Sequence, residues 1–204
     1  MKKILKIAKI TCITLFTIVL LFIAYLYISS KIFLESKNDE NISYLSKNNV
    51  QVSGSIDGKL FDADFYKSQV FLLGEIHGYA DNQTIDKEML FFLNKKAGVK
   101  YYIAEMDSLV AKRLNSFLLG KQKNETALKE VVETIKQRIP QQSSQELFDK
   151  WNSIYDYNQN LTDSLKITVI GIDKNFDDES KGSRDVAMVS NFKNAIKKMN
   201  IVNE

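Results

Sequence analysis

The sequence predicts an α/β domain with a parallel sheet behind one N-terminal transmembrane helix, and three observations predict it. Apolar runs at 70–73, 99–104 and 165–170 each lead into a polar turn, as buried strands do. Between them the apolar residues recur at helical spacing, so strands and helices alternate in the order of a parallel sheet with helical crossovers. Ahead of these, residues 10–30 carry no charge and are dominated by Ile, Leu, Phe and Val.

That uncharged stretch matches the ~20 residues a helix needs to cross a bilayer. Lys2, Lys3, Lys6 and Lys9 precede it, which predicts an amino end in the cytoplasm and everything after Lys31 outside. A cleaved signal peptide would have an apolar region of only ~7–15 residues ending in small residues. The segment 24–30, Ala-Tyr-Leu-Tyr-Ile-Ser-Ser, offers a poor cleavage site, so an uncleaved anchor is preferred. Residues 1–31 then form the basic stretch and anchor, 32–49 a polar linker, and 50–204 the α/β domain.

The bulk composition agrees with this division. With 204 residues, 45% hydrophobic and 26% charged, the chain holds one globular domain plus an appendage. The net charge of +3 is accounted for by the four N-terminal lysines, so no basic patch argues for nucleic acid. Cys12 is the single cysteine, which excludes an internal disulfide and a multi-thiol metal site.

Within the domain, Asp57-Gly58 is a turn signal and predicts a short hairpin over 50–65. A helix over 81–97 places Ile85, Met89, Phe92 and Leu93 on one face, and Gly98 stops it. The strand 99–104 leads to Glu105 and Asp107; Asp107 or Ser108 then caps a helix reaching Leu118. An inserted pair of helices follows, 124–139 and one opened by Ser143-Ser-Gln-Glu146, separated by Pro140. Their stripes, Leu128, Val131 and Ile135, then Leu147, Trp151 and Ile154, read as core rather than as a cofactor box. The strand 165–170 runs into Gly171-Ile-Asp173, and Ser183 caps a final helix from Arg184 to about Met199.

The chemistry concentrates at 70–78, Val-Phe-Leu-Leu-Gly-Glu-Ile-His-Gly, which holds the one histidine of the sequence. Residues two apart in an extended chain share a side, so Glu75 and His77 present together beyond the strand's carboxyl end. Gly74 and Gly78 flank them with backbone freedom or room for a ligand. Parallel strands bring their carboxyl ends to one edge, where open sheets bind ligands, so Glu75, His77, Glu105 and Asp173 are expected in one cleft. One imidazole among carboxylates suits proton transfer, and the same group offers a divalent metal hard oxygens and one nitrogen. The blander readings are a hydrogen-bonded or surface histidine and strand-end acids that merely cap helices, for Asp107 and Asp173 above all.

Gly74-Glu-Ile-His-Gly78, Tyr102-Ile-Ala-Glu105, Leu114-Asn-Ser-Phe-Leu-Leu-Gly120, Ile170-Gly-Ile-Asp173 and Arg184-Asp-Val-Ala-Met-Val-Ser-Asn191, in this order, resemble the erythromycin-esterase-like and ChaN-like haem-uptake superfamily. The resemblance implies that Glu75, His77 and Glu105 belong to the active or binding site, with Arg184 and Asp185 as the pair opening the last helix. One residue separates Glu75 from His77 where the esterases place two, which is closer to the haem-uptake and related metal-dependent protease branches. Members continue into further strands, and the esterases bring a second histidine from that half, so the resemblance implies that this chain carries the N-terminal part of the domain. The expected function is ester or amide hydrolysis by a membrane-anchored, extracytoplasmic domain. His77 acts as general base, Glu75 holds it, Glu105 is a second acid or metal ligand, and Arg184 binds an anionic substrate group or oxyanion. Asp173, Tyr79 and Asp185 contact ligand; a divalent metal would sit on Glu75, His77 and Glu105. The alternatives are a haem- or ligand-binding module without catalysis, with Tyr79 or His77 as axial ligand, and a degenerate fragment without activity.

Overall fold

A computed structural model describes residues 2–34, 39–49, 52, 54–76, 78–142, 144–175 and 182–199. The chain divides into two compact units, Met1–Gln51 and Val52–Glu204.

In the first unit, α1 (Lys2–Leu34) is a single helix, long and apolar enough to cross a membrane, a property that membrane spans and signal sequences share. Three of its hydroxyls are satisfied within the helix: those of Thr11, Thr14 and Thr17 donate to the carbonyls of Ile7, Ile10 and Ile13 at 2.9–3.0 Å. The polar segment after it, expected as a linker, is helical in part. Residues 39–48 form α2 (Asp39–Asn48), with Asp39 and Glu40 in its first turn and Lys47 in its last, charges that complement the helix dipole.

The second unit is mostly helical. Its helices are α3 (Ala80–Ala97), α4 (Ser108–Leu118), α5 (Glu125–Arg138), α6 (Gln145–Gln159) and α7 (Arg184–Lys198). Among the described residues the sheet has two strands, β1 (Tyr101–Asp107) and β2 (Thr168–Asp173), paired in parallel from Tyr101↔Thr168 to Ala104↔Gly171. After Ala104 the ladder is irregular and resumes at Asp107↔Asp173. Gly171 makes the irregularity possible: a Cβ there would collide with the Asp107 carbonyl and come within 2.7 Å of the Met106 oxygen. Both strands start and end later than the sequence indicates, at 101–107 and 168–173 instead of 99–104 and 165–170, so Glu105 lies within β1 instead of after it.

The core fills the space between β1, β2 and helices α3 to α6. Leu114, Leu118, Leu128, Ile154 and Ile167 are fully buried and Trp151 nearly so. The α5 and α6 stripes are thus core, as their spacing predicts. Local capping follows the sequence closely. Asp107 Oδ1 accepts from the Leu109 and Val110 amides, Asn124 Oδ1 from Ala127 and Ser183 Oγ from Val186. Ser144, not Ser143, caps α6.

Two sequence expectations fail here. The run 70–73 is not a strand and joins no ladder among the described residues, with Leu72 94% exposed. The reason lies just upstream, where Phe61 and Tyr66 pack on Phe92 of α3 with ring centroids 5.5 and 6.1 Å apart. Phe71 joins that cluster through Phe65 at 4.9 Å, which commits the run to the aromatic cluster rather than to a ladder. An apolar run by its composition does not distinguish these outcomes. Nor do the described residues of the expected hairpin form a strand. Asp57 accepts from the Lys59 amide at 3.0 Å and caps a single tight turn, Gly58–Leu60. Residues 50, 51 and 53 of that expectation lie outside the described residues.

The side of β2 away from β1 is closed by side chains. The Asn115 amide accepts from the Val169 N–H at 2.8 Å and donates to the Val169 carbonyl at 2.7 Å. Asn158 does the same to Ile167, at 2.8 and 3.0 Å. Each asparagine thereby supplies the donor and acceptor that a neighbouring strand would offer, and the edge is blunted.

Candidate functional site

Two parallel strands place their carboxyl ends side by side, and an ion-pair cluster occupies that edge. Asp173 ends β2 with its side chain fully buried. It accepts from Arg184 Nε at 2.9 Å and Nη2 at 2.8 Å, a two-pronged pairing, and from the Lys174 amide at 2.7 Å. Arg138, in the last turn of α5, adds Nη2 at 3.1 Å. Burial pushes the Asp173 carboxyl up, but the Arg184 hydrogen bonds, the Lys174 amide and the charges of both arginines outweigh it and hold it below the usual range. Arg184 Nη2 also pairs with Glu105 of β1. Hydrogen bonding to Asp173 first, then to Glu105, raises the guanidinium further above its ordinary value. Ser183 starts α7 and so puts Arg184 in its first turn, where a cation is unfavourable beside the helix dipole; the two carboxylates compensate.

The members of this cluster are unequally committed. Asp173 is saturated, and Asp107 divides itself between the α4 cap and Arg138, 3.7 Å away. Glu105 is partly exposed and uses Oε1 for Arg184; Oε2 has no hydrogen-bond partner among the described residues. Asp185, also in the first turn of α7, makes no side-chain hydrogen bond or ion pair among the described residues.

Glu75 is in different surroundings. Because 70–73 is no strand, no ladder delivers Glu75 to the sheet edge, and the expected convergence of three strand ends reduces to two. Instead Gln142 Nε2 donates to Glu75 Oε1 at 2.7 Å. The two residues line a recess of about 70 Å³ together with Tyr79, Gln83 and Glu146. Gly78, at φ +89°, makes the left-handed turn into α3 that a side chain would resist. Tyr79 follows, mostly exposed. Gly74 has an ordinary φ and open space around it, so glycine is not required there. His77 lies outside the described residues.

A third group was not legible as a site in the sequence. Lys150 of α6 is buried, with Nζ 2.6 Å from Asp86 of α3 and donating to the Tyr102 hydroxyl of β1 at 3.2 Å. Tyr102 in turn donates to Asp86. The ammonium also rests over the Trp151 and Tyr102 rings, 4.6 and 4.9 Å from their centroids. Burial pushes the Tyr102 phenol well up, and the Asp86 charge, the Asp86 hydrogen bond and the Glu75 charge push it further. The available signal was a charge interrupting each apolar face: Asp86 in register with Leu90 and Leu93, and Lys150 between Leu147 and Ile154. Arg138 carried no comparable signal.

Among the described residues no three His, Cys, Asp or Glu side chains group to hold a metal. The carboxylates at the strand ends are already matched by Arg138 and Arg184. The expected metal set includes His77, outside the described residues. Haem does not fit the recess beside Tyr79, since about 70 Å³ falls far short of the ~300–1,000 Å³ of ordinary ligand sites.

Fold and cluster together define a small, mostly helical unit around a parallel strand pair, with arginine-bridged carboxylates at the strand ends. The chain matches no family model, no curated protein and no solved structure.

Proposed function

We propose that the chain is a membrane-tethered, extracytoplasmic hydrolase-like domain of the erythromycin-esterase-like and ChaN-like kind, cleaving an ester or amide with His77 as general base on water. The observation that carries the reading is the single guanidinium of Arg184 joined to both strand ends, to Glu105 of β1 and Asp173 of β2. This is the edge where parallel α/β sheets place their ligands.

In this reading Glu105 is the second acid, its Oε2 available to a substrate or water. Arg184 is a positioning residue: with Nε and Nη2 engaged, it fixes Glu105, in place of the oxyanion contact expected from the sequence. Asp173, itself paired with Arg138, anchors that guanidinium. Glu75, oriented by Gln142, holds His77 in the tautomer that accepts a proton. The anchor reading of α1, with lysines on its cytoplasmic side, places the domain outside the cell.

Hydrolysis of 4-nitrophenyl acetate by the full chain in detergent tests the proposal, alongside His77→Ala, Glu75→Gln and Glu105→Gln. One positioned general base contributes typically ~10²–10⁴-fold, so a slow wild-type rate should fall by that order in His77→Ala and by less in the other two. Melting temperatures within the wild-type range would confirm folded variants. A His77→Ala rate equal to wild type would overturn the proposal.

A further inference from the structure

A second concavity lies in the same unit, between residues 55–59, Tyr66 and the last turns of α3, and encloses about 890 Å³. That is the size of a small-molecule site, ~300–1,000 Å³. It shares no residue with the strand-end cluster or with the recess at Glu75.

Its lining combines aromatic rings with lysines. Phe91, Phe92 and Tyr66 provide apolar surface. The wall is fixed, because the Tyr66 hydroxyl donates to the Gly58 carbonyl at 2.9 Å. A Cβ on Gly58 would come within 3.2 Å of that hydroxyl, so the chain closes against the ring there. The charges around the groove differ in commitment. Asp57 is taken up in capping its own turn and Glu88 pairs with Lys87 at 3.2 Å. Lys95 sits over the Tyr157 ring, 5.5 Å from its centroid. The ammonium groups of Lys59 and Lys96 make no hydrogen bond, ion pair or ring contact among the described residues. Glu88 is thus paired and Asp57 is directed to its own backbone cap, while the ammonium groups of Lys59 and Lys96 stand without a counter-ion among the described residues, beside aromatic surface.

We propose that this groove binds a small amphiphilic anion, an aryl or alkyl carboxylate, sulfonate or phosphate. The apolar body lies on Phe91 and Phe92, and the acid group pairs with Lys59 and Lys96. Charge selects the ligand, and the aromatic rings hold it.

The test uses the full chain in nanodiscs of zwitterionic lipid, titrated with naphthalene-2-sulfonate and followed by the fluorescence of the naphthalene. Naphthalene-2-sulfonamide supplies the apolar body without the charge, and sulfate the charge without the body. The expected result is saturable binding of the sulfonate, roughly fivefold or more tighter than either control. The double variant Lys59→Gln/Lys96→Gln should weaken it about three- to tenfold, the range for two exposed ion pairs, at unchanged melting temperature. Phe91→Ala should weaken sulfonate and sulfonamide alike. Competition by anionic lipid in the nanodisc would identify a headgroup as the source of the anion, and its absence a soluble one. Absence of saturation, equal affinity for the sulfonamide, or indifference to the lysine substitutions would overturn the proposal.

Discussion

At Asp173 a fully buried carboxylate is kept charged by two arginines and a backbone amide, and this links stability to pH in a definite direction. A carboxyl held below its ordinary pKa contributes stability that is present above that value and lost as pH falls through the folded one. The unfolded reference for Asp is ~3.9, so the loss should set in below about pH 4. Tyr102 has the opposite sense. Its phenol is held neutral by burial and by Asp86, so its contribution is present below the unfolded value of ~10 and lost as pH rises beyond it. Urea midpoints measured from pH 2 to 11 should therefore fall at both ends. Asp173→Asn should flatten the acid limb and Tyr102→Phe the alkaline one; limbs unchanged by these substitutions would show that other groups set the profile.

At the level of elements, the edge of the sheet at β2 is closed by side chains. Asn158 is fully buried and satisfies both backbone groups of Ile167. Asn158→Leu keeps the branched shape but removes the donor and the acceptor, and each unpaired buried group costs about 1–3 kcal/mol. A urea midpoint shift corresponding to less than about 1 kcal/mol would mean that water or another group reaches Ile167. The unpaired run 70–73 makes the converse prediction. Leu72 is 94% exposed, so Leu72→Ser should change stability by no more than about 0.5 kcal/mol, the usual range for surface substitutions. A loss of ~2 kcal/mol or more, the scale of a buried leucine, would show that this run enters the sheet in solution.

For the whole molecule, α1 belongs to a compact unit separate from Val52–Glu204, and the charge flanking α1 makes a prediction about topology. Four lysines precede the uncharged stretch, so the amino end should stay in the cytoplasm. Protease added to intact cells should degrade residues 52–204 and leave a membrane-protected N-terminal fragment of the mass of α1. Full protection of the domain until the cells are lysed would refute this topology. Release of the domain without a membrane-bound remnant would instead assign α1 to a cleaved signal sequence.

The sequence by itself determined what depends on near neighbours. The uncharged span becomes one helix, the stripes of α5 and α6 become core, and Asp107 and Ser183 cap as their positions predict, because capping and helical amphipathicity are settled within about a turn of chain. Glu105 and Asp173 were also legible as neighbours, since parallel pairing aligns strand ends. Only the tertiary structure decided which apolar runs became strands. The run 70–73 has the composition of a strand, but Phe71 joins the aromatic cluster on α3, and Asn115 and Asn158 occupy the far edge of β2. It likewise decided that Arg138 and Arg184 share Asp173 and that Lys150 meets Asp86 across 64 residues of sequence. Partners for buried charges and for sheet edges are chosen by proximity in space, which no local pattern of residues encodes.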